Sequence, residues 1–141
     1  MVRSFGRIFS GGRTFFMKEE LAMWKSVVTH IGAMALEFVD DKVLVFFGPA
    51  APDALRDVSI IHESAEPFSG SLCVGDKLVV DGQDYEISKV GTQAQGNLQE
   101  LGHISVYFTD APDDILPGSI YVTPHRVPQV KLGSVIEIRQ R

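Results

Sequence analysis

Short apolar runs separated by turn-forming residues recur along the chain from Trp24 to its end. Runs of about four to eight residues at this spacing are typical of an all-β sandwich or barrel. An apolar run also ends at His62, in the sequence Ser-Ile-Ile-His-Glu. The other strands that the pattern predicts are residues 24–31, 42–47, 104–108, 119–122 and 135–139.

A β-hairpin is the clearest local prediction, with residues 78–80 and 85–87 on either side of Asp81-Gly82. The dipeptide Asp-Gly accepts the positive φ angles that a tight hairpin turn requires. Residues 75–80 and 133–138 share a pattern in which a glycine precedes an apolar strand. This repetition suggests that the chain contains two related halves.

Helical patterns are scarce. Residues 52–57 predict a single turn, and residues 95–101 predict one or two turns that end at Gly102. Because no long helix separates the strands, we expect antiparallel neighbours rather than parallel βαβ units. The predicted fold is therefore an all-β, small, mostly antiparallel β-barrel with one or two short helical turns, in which closure hides the strand edges.

A chain of 141 residues with 45% apolar and 22% charged residues is expected to fold as one domain. The longest apolar runs, such as residues 43–47, are far shorter than the roughly 20 residues of a membrane-spanning helix. Residues 1–16 combine arginine with Phe, Ser and Gly and lack the apolar core of a signal peptide. We therefore predict a disordered or extraneous leader at 1–16 and a single β-barrel domain at 17–141.

The net charge is −5, and the arginines of residues 1–16 leave the remainder more acidic still. An acidic domain argues against nucleic-acid binding and favours a basic protein partner. Cys73 is the only cysteine, so no internal disulfide can form and a reducing, cytoplasmic compartment is expected. Its neighbours Leu72 and Val74 predict that Cys73 is buried and inert.

His62 is the leading candidate for chemistry. A neutral imidazole is nucleophilic near pH 7, because its ordinary pKa of about 6.5 leaves a lone pair on one nitrogen. Burial on one side would hold the ring while its polar tip reaches the surface. Glu63 would point to the opposite face of an extended strand, so we do not assign it as a base. From the residues alone, a structural histidine at a strand end remains the competing interpretation.

Several short segments occur in one order and spacing. They are Thr29-His30-Ile31-Gly32-Ala33, residues 52–55, Ile61-His62, residues 70–75, Val90-Gly91, residues 97–103, Pro117-Gly118 and Leu132-Gly133-Ser134. In this arrangement, from about Val27 to Arg139, the chain resembles the glucitol/sorbitol-specific enzyme IIA component of the bacterial phosphoenolpyruvate-dependent sugar phosphotransferase system.

The resemblance implies that His62 takes a phosphoryl group from the phosphohistidine of the carrier protein HPr. It then passes the group to a cysteine of the sugar-specific IIB unit of the membrane-associated IIB/IIC permease. Two successive partners require a shallow exposed site, for which Ile60, Pro67 and Phe68 are the expected apolar rim.

His103 matches the resembling segment Asn-Leu-Gln-Glu-Leu-Gly-His. It is expected either to stabilise the phosphoryl oxygens or to orient His62 by fixing its tautomer, and a buried, satisfied histidine remains the alternative. Asn97 and Glu100 could line the site or simply cap and solvate a short helix. His30 and His125 are expected at the surface.

Other chemistries find little support in the sequence. The four histidines are too dispersed for a metal site, and neither a GxxxxGK[ST] phosphate loop nor a GxSxG motif occurs. We therefore expect no metal and no cofactor. The alternatives to a phosphocarrier are a non-catalytic β-barrel adaptor or regulatory module, and a small-molecule-binding barrel with an internal cavity.

Overall fold

The computed structural model describes residues 23–141, which form a closed barrel of eight strands. The predicted leader at 1–16 lies outside the described residues. The strands are β1 (Met23–Ile31), β2 (Val43–Phe47), β3 (Ile60–Glu63), β4 (Lys77–Val80), β5 (Gln83–Val90), β6 (Ile104–Tyr107), β7 (Ser119–Thr123) and β8 (Val135–Arg139). Two α-helices, α1 (Asp53–Arg56) and α2 (Ala94–Leu101), and a 3-10 helix (Val39–Asp41) complete the described elements.

The strands follow the order β1-β3-β2-β6-β7-β5-β4-β8 around the barrel. Six neighbouring pairs are antiparallel, which confirms the predicted all-β, mostly antiparallel barrel. The expectation of antiparallel neighbours was wrong for β2 with β3 and for β6 with β7, which are parallel. The connections between these strands, residues 48–59 and 108–118, are about a dozen residues long. That length suffices to carry the chain back to the starting end of the sheet.

The local predictions hold with small changes in length. Asp81 and Gly82 have φ angles of 49° and 83° and join β4 to β5 as the predicted hairpin. Helix α1 makes one turn, and α2 ends at Gly102 in the left-handed conformation with a φ angle of 66°. None of the helices in residues 23–141 is long and apolar enough to cross a membrane.

The barrel consists of two halves, β1–β4 and β5–β8, related by an approximate twofold axis. Exchanging β1 with β5, β2 with β6, β3 with β7 and β4 with β8 leaves the eight neighbouring strand pairs unchanged. The register shift between Val28 and His30 in β1 recurs between Ile87 and Lys89 in β5. Both halves therefore share irregularities as well as topology.

Equivalent hydrogen bonds support this symmetry. The Gly75 N–H donates to the Ile87 carbonyl at 2.8 Å, and the Gly133 N–H donates to the Val28 carbonyl at 2.9 Å. These glycines precede β4 and β8, the segments whose shared pattern suggested two related halves. That suggestion is confirmed by the structure.

A buried glycine follows the first strand of each half. The Gly32 N–H donates to Ser59 O at 2.9 Å, and the Gly91 N–H donates to Ser119 O at 2.8 Å. A Cβ atom at Gly32 would overlap the carbonyl oxygen of Arg56, and one at Gly91 would overlap that of Leu116. Two backbones thus approach each other at both positions without room for a side chain.

Cys73 is exposed, so the prediction of a buried thiol was wrong. The residue lies in a tight turn before β4, where the Asp76 N–H donates to the Cys73 carbonyl at 3.1 Å. The Cys73 N–H in turn donates to the Asp76 carboxylate at 2.8 Å. This turn directs the neighbouring Leu72 into the core and leaves the cysteine at the surface.

Candidate functional site

Strand β3 places His62 inside one end of the barrel. Ile60 and His62 are two residues apart and share the inward face, while Glu63 is exposed. His62 is therefore only 4% exposed. The prediction that the polar tip of its ring reaches the surface was wrong. The antiparallel register pairs His62 with Val28 of β1, which brings Ser26 to a diagonal position on the same face.

Both ring nitrogens of His62 have hydrogen-bond partners. Nδ1 lies 2.6 Å from Ser26 Oγ, and Nε2 lies 2.7 Å from the carbonyl oxygen of Gly102. A carbonyl oxygen only accepts, so Nε2 must carry the proton of the neutral ring. The Ser26 hydroxyl then donates to the lone pair on Nδ1.

The Gly102 carbonyl reaches the ring because two glycine backbones are in close contact. Gly102 ends α2, and a Cβ atom there would lie 2.9 Å from the Cα of Gly48, which follows β2. The Gly48 N–H donates to the Leu101 carbonyl at 2.9 Å and holds this approach. There is no room for a side chain at Gly48 or Gly102. Glycine at both positions therefore allows the Gly102 carbonyl to reach Nε2.

Aromatic side chains surround the imidazole. The rings of Trp24 and Phe46 meet it edge to face, with centroids 5.9 Å and 6.2 Å away. Burial lowers the pKa of His62 below its ordinary value of 6.5, and the hydrogen bond to Gly102 opposes this only in part. The ring is therefore neutral near pH 7.

The lowered pKa predicts how stability depends on pH. The unfolded chain binds a proton at His62 near pH 6.5, whereas the folded protein binds it only at lower pH. The contribution of His62 to stability is thus fully present above that value and is lost as the pH falls below it. Between about pH 7.5 and about pH 5.5 we expect an extra loss of up to about 1.4 kcal/mol in the free energy of unfolding.

Urea denaturation of the wild type and of His62→Gln at both pH values measures this loss. His62→Gln removes the titrating group, so its free energy of unfolding should fall less than that of the wild type over the same interval. An identical pH dependence in the two proteins would show that His62 titrates normally in the fold.

An open pocket of about 310 Å³ reaches His62 at this end of the barrel. Pro67 and Phe68 line it as predicted, but Ile60 lies in the core and does not. Glu63 and Glu100 contribute carboxylates, and no lysine or arginine is among the lining residues of the described chain. The pocket is lined by Trp24, Gly48, Pro49, Ala50, His62, Glu63, Ser64, Pro67, Phe68, Leu98, Gln99, Glu100, Leu101 and Gly102.

His103 lies near this end of the barrel but makes its contacts elsewhere. Its Nδ1 donates to the Phe46 carbonyl at 3.2 Å, and its ring stacks on Phe47 at 4.5 Å. The group that contacts Nδ1 of His62 is Ser26, not His103. A role for His103 toward a phosphoryl group stays a prediction.

Of the remaining candidate residues, some lie at the pocket and others lie elsewhere. Glu100 is exposed at the pocket, whereas the Asn97 carbonyl accepts from the N–H groups that close the end of α2. His30 and His125 are exposed, which confirms their predicted surface position. Residues 23–141 contain no cluster of three or more His, Cys, Asp or Glu side chains that could hold a metal ion.

Ser26 and Gly102 were missed by the sequence analysis as partners of His62. One signal for Ser26 was present, because it occupies the same alternation phase as Trp24 and Val28 and is a polar residue on the inward face of β1. No local pattern connects either residue to His62. Their contact depends on strand pairing across distant parts of the chain.

The approximate twofold axis gives an internal comparison for the site. His62 pairs with Val28, and the equivalent pair in the other half is Val122 with Ile87. Val122 therefore occupies the position of His62, and Tyr85 occupies that of Ser26. Because the other half has the apolar Val122 at the position of His62, the barrel architecture does not require an imidazole at residue 62.

Comparison with known proteins identifies the family. A sequence model described as "PTS system glucitol/sorbitol-specific IIA component" matches residues 23–137. The "PTS system glucitol/sorbitol-specific EIIA component" of Escherichia coli (strain K12) is 30% identical over 115 residues, covering 82% of this chain and 93% of that protein. The same component of Shigella flexneri matches with the same identity and coverage, 30% over 115 residues.

A solved structure agrees with these sequence matches. The crystal structure of the PTS system IIA component from Enterococcus faecalis V583 has a TM-score of 0.75 and 34% sequence identity to this chain. The match covers 79% of this chain and 96% of the crystallised one. The chain therefore belongs to the family of glucitol/sorbitol-specific IIA components of the phosphotransferase system.

Proposed function

We propose that this protein is a cytoplasmic phosphocarrier whose His62 accepts a phosphoryl group from phospho-HPr and passes it to the IIB unit of a glucitol/sorbitol permease. The observation that carries the proposal is the position of His62 beneath an open pocket, at a site where the other half of the barrel has Val122. Such a departure from the internal symmetry supports a functional rather than an architectural imidazole.

Phosphoryl transfer at this site needs a nitrogen lone pair and in-line access. The lone pair forms an N–P bond to His62 while the P–N bond of phospho-HPr breaks, and that electron pair returns to the HPr imidazole. The IIB cysteine sulfur then attacks phosphorus, and the electron pair of the N–P bond returns to His62. Positioning and charge stabilisation supply most of the catalysis in such transfers.

The charges of the pocket favour onward transfer. Glu63 and Glu100 line the pocket and would repel the negative phosphoryl oxygens, which raises the free energy of the phosphorylated form. Since no basic side chain of the described residues lines the pocket, the positive charge would come from the partner. A partner with a basic docking surface suits this arrangement.

The interior of the barrel does not suit a sugar. The cavity beneath His62 has a volume of about 20 Å³ and is otherwise lined by apolar side chains. That volume is close to the minimum that holds a single water molecule. That cavity is too small for a hexitol, and under this proposal the sugar would contact only the permease.

Incubation with phosphoenolpyruvate, enzyme I and HPr tests the proposal. We expect the protein to gain one phosphoryl group that is labile in acid and stable in base, and to lose it when IIB is added. Trp24 is the only tryptophan and lies 5.9 Å from His62, so its fluorescence should follow the reaction. Omission of HPr is the control, and mass unchanged with all components present would contradict the proposal.

A non-catalytic adaptor or regulatory module is the second candidate. The burial of His62 and the hydrogen bonds at both nitrogens favour it, since a satisfied buried histidine needs no chemical role. Under this alternative the protein would bind HPr or IIB without becoming phosphorylated. The same assay therefore separates the two candidates.

A further inference from the structure

We propose that Ser26 is a positioning residue that directs the phosphoryl group to Nε2 of His62 by pairing with Nδ1 in both states of the ring. In the resting protein the Ser26 hydroxyl donates to Nδ1, and in the phosphorylated protein it accepts from Nδ1–H. This inference rests on the proposed function and specifies which nitrogen reacts.

The geometry favours Nε2 as the reacting nitrogen. Nε2 lies against Gly102, which lines the open pocket, whereas Nδ1 lies against Ser26, which is 1% exposed and does not line it. The cavity on the interior side of the ring has a volume of about 20 Å³. A phosphoryl group at Nδ1 would have to displace Ser26 and enter the apolar core.

In the resting protein the ring proton is on Nε2, the nitrogen that would have to react. Nε2–H donates to the Gly102 carbonyl, so the lone pair is on Nδ1. For Nε2 to react, the Gly102 carbonyl must turn away, the Nε2 proton must leave to solvent, and solvent must return a proton to Nδ1. The imidazole then remains neutral and presents the Nε2 lone pair to the pocket.

Only a group that both donates and accepts can satisfy Nδ1 throughout this exchange. A hydroxyl has that capacity, and the Ser26 Oγ lies at 2.6 Å from Nδ1. An alanine would leave the buried Nδ1 unpaired in both tautomers. Ser26 would act through His62 and would not itself contact the phosphoryl group.

The other half of the barrel lacks this pairing. Tyr85 occupies the position of Ser26, and its hydroxyl donates to the Arg126 carbonyl at 2.7 Å. The residue equivalent to His62 there is Val122, which needs no partner. A small hydroxyl thus occurs at this position in the half that carries the imidazole.

Nuclear magnetic resonance of the wild-type protein labelled with ¹⁵N-histidine tests the inference directly. We expect the His62 signals to show Nε2–H in the resting protein, and Nε2–P with Nδ1–H after phosphorylation by enzyme I and HPr. Phosphorylation of His62 at Nδ1 would overturn the role of Ser26 and leave the proposed function intact. Absence of any phosphohistidine at residue 62 would overturn both.

Substitutions at Ser26 provide an independent test. We expect Ser26→Ala to lower the rate of His62 phosphorylation about tenfold, while the Gly102 carbonyl keeps the resting proton on Nε2. Ser26→Thr retains the hydroxyl and should keep the rate within about threefold of wild type. The matched control is Ser88→Ala, which removes a serine hydroxyl bonded to the Tyr121 carbonyl in the other half of the barrel.

The outcomes separate a positioning role from a structural one. A Ser26→Ala protein with the wild-type rate would overturn the inference. If Ser26→Ala does not fold, the rate of Ser26→Thr and the phosphorylated nitrogen of the wild type decide the question. Loss of the rate in Ser26→Thr with an unchanged fold would also count against it.

Discussion

His62→Gln is expected to reduce phosphoryl incorporation from phospho-HPr by at least about a thousandfold, because the side chain that provides the nucleophile is removed. Glutamine retains a polar group that can accept from the Ser26 hydroxyl or donate to the Gly102 carbonyl. The barrel should therefore remain folded while the reaction is lost. Mass spectrometry after incubation with phosphoenolpyruvate, enzyme I and HPr measures the incorporated phosphate.

Two other histidines provide the controls for this variant. His30→Gln changes an exposed imidazole on β1 and should leave incorporation unchanged. His103→Gln tests the histidine that stacks on Phe47, for which a smaller effect on rate is expected if it assists the transfer. A His62→Gln protein that still becomes phosphorylated would move the acceptor elsewhere, and His103 would be the next residue to examine.

Gly32→Ala is expected to lower the free energy of unfolding by at least about 3 kcal/mol. The added Cβ would overlap the Arg56 carbonyl oxygen and lie 2.5 Å from the Asp57 carbonyl oxygen. Both contacts are with backbone atoms, so relief requires movement of the chain between α1 and β3. Because this movement would also disturb the Gly32 hydrogen bond to Ser59, the loss should be large.

Urea denaturation at neutral pH measures this change in the free energy of unfolding. Two further variants provide an equivalent substitution and a control. Gly91→Ala meets the Leu116 and Pro117 carbonyl oxygens at the equivalent position and should lose a similar amount. Gly96→Ala is the matched control, since it lies in α2 with nothing within 4 Å of the added Cβ. It should stabilise the protein by about 0.5–1 kcal/mol. A Gly32→Ala protein as stable as the wild type would contradict the close backbone approach.

Much of the secondary structure was predictable because it depends on local chemistry. The Asp81-Gly82 hairpin follows from the preference of these residues for positive φ angles. The end of α2 follows from Gly102 in the left-handed conformation. Strand β8 was predicted with its observed limits, because a glycine turn and an apolar run mark them.

The pairing of strands was harder to predict because it depends on contacts between distant residues. The parallel pairs β2 with β3 and β6 with β7 depend on the path of the connecting segments, for which the sequence carries no periodic signal. The predicted burial of Cys73 was also wrong. Its apolar neighbours indicated burial, but the hydrogen bonds of its turn with Asp76 decide the direction of its side chain.

The sequence alone determined the barrel class and singled out His62, since alternation, turn chemistry and motif order are written along the chain. Only the tertiary structure decided that the imidazole points inward, that Ser26 and the Gly102 carbonyl occupy its nitrogens, and that a pocket still reaches it. Ser26 and His62 are 36 positions apart, and His62 and Gly102 are 40 apart. Strand register and barrel closure bring such residues together, and neither is encoded in any local stretch of sequence.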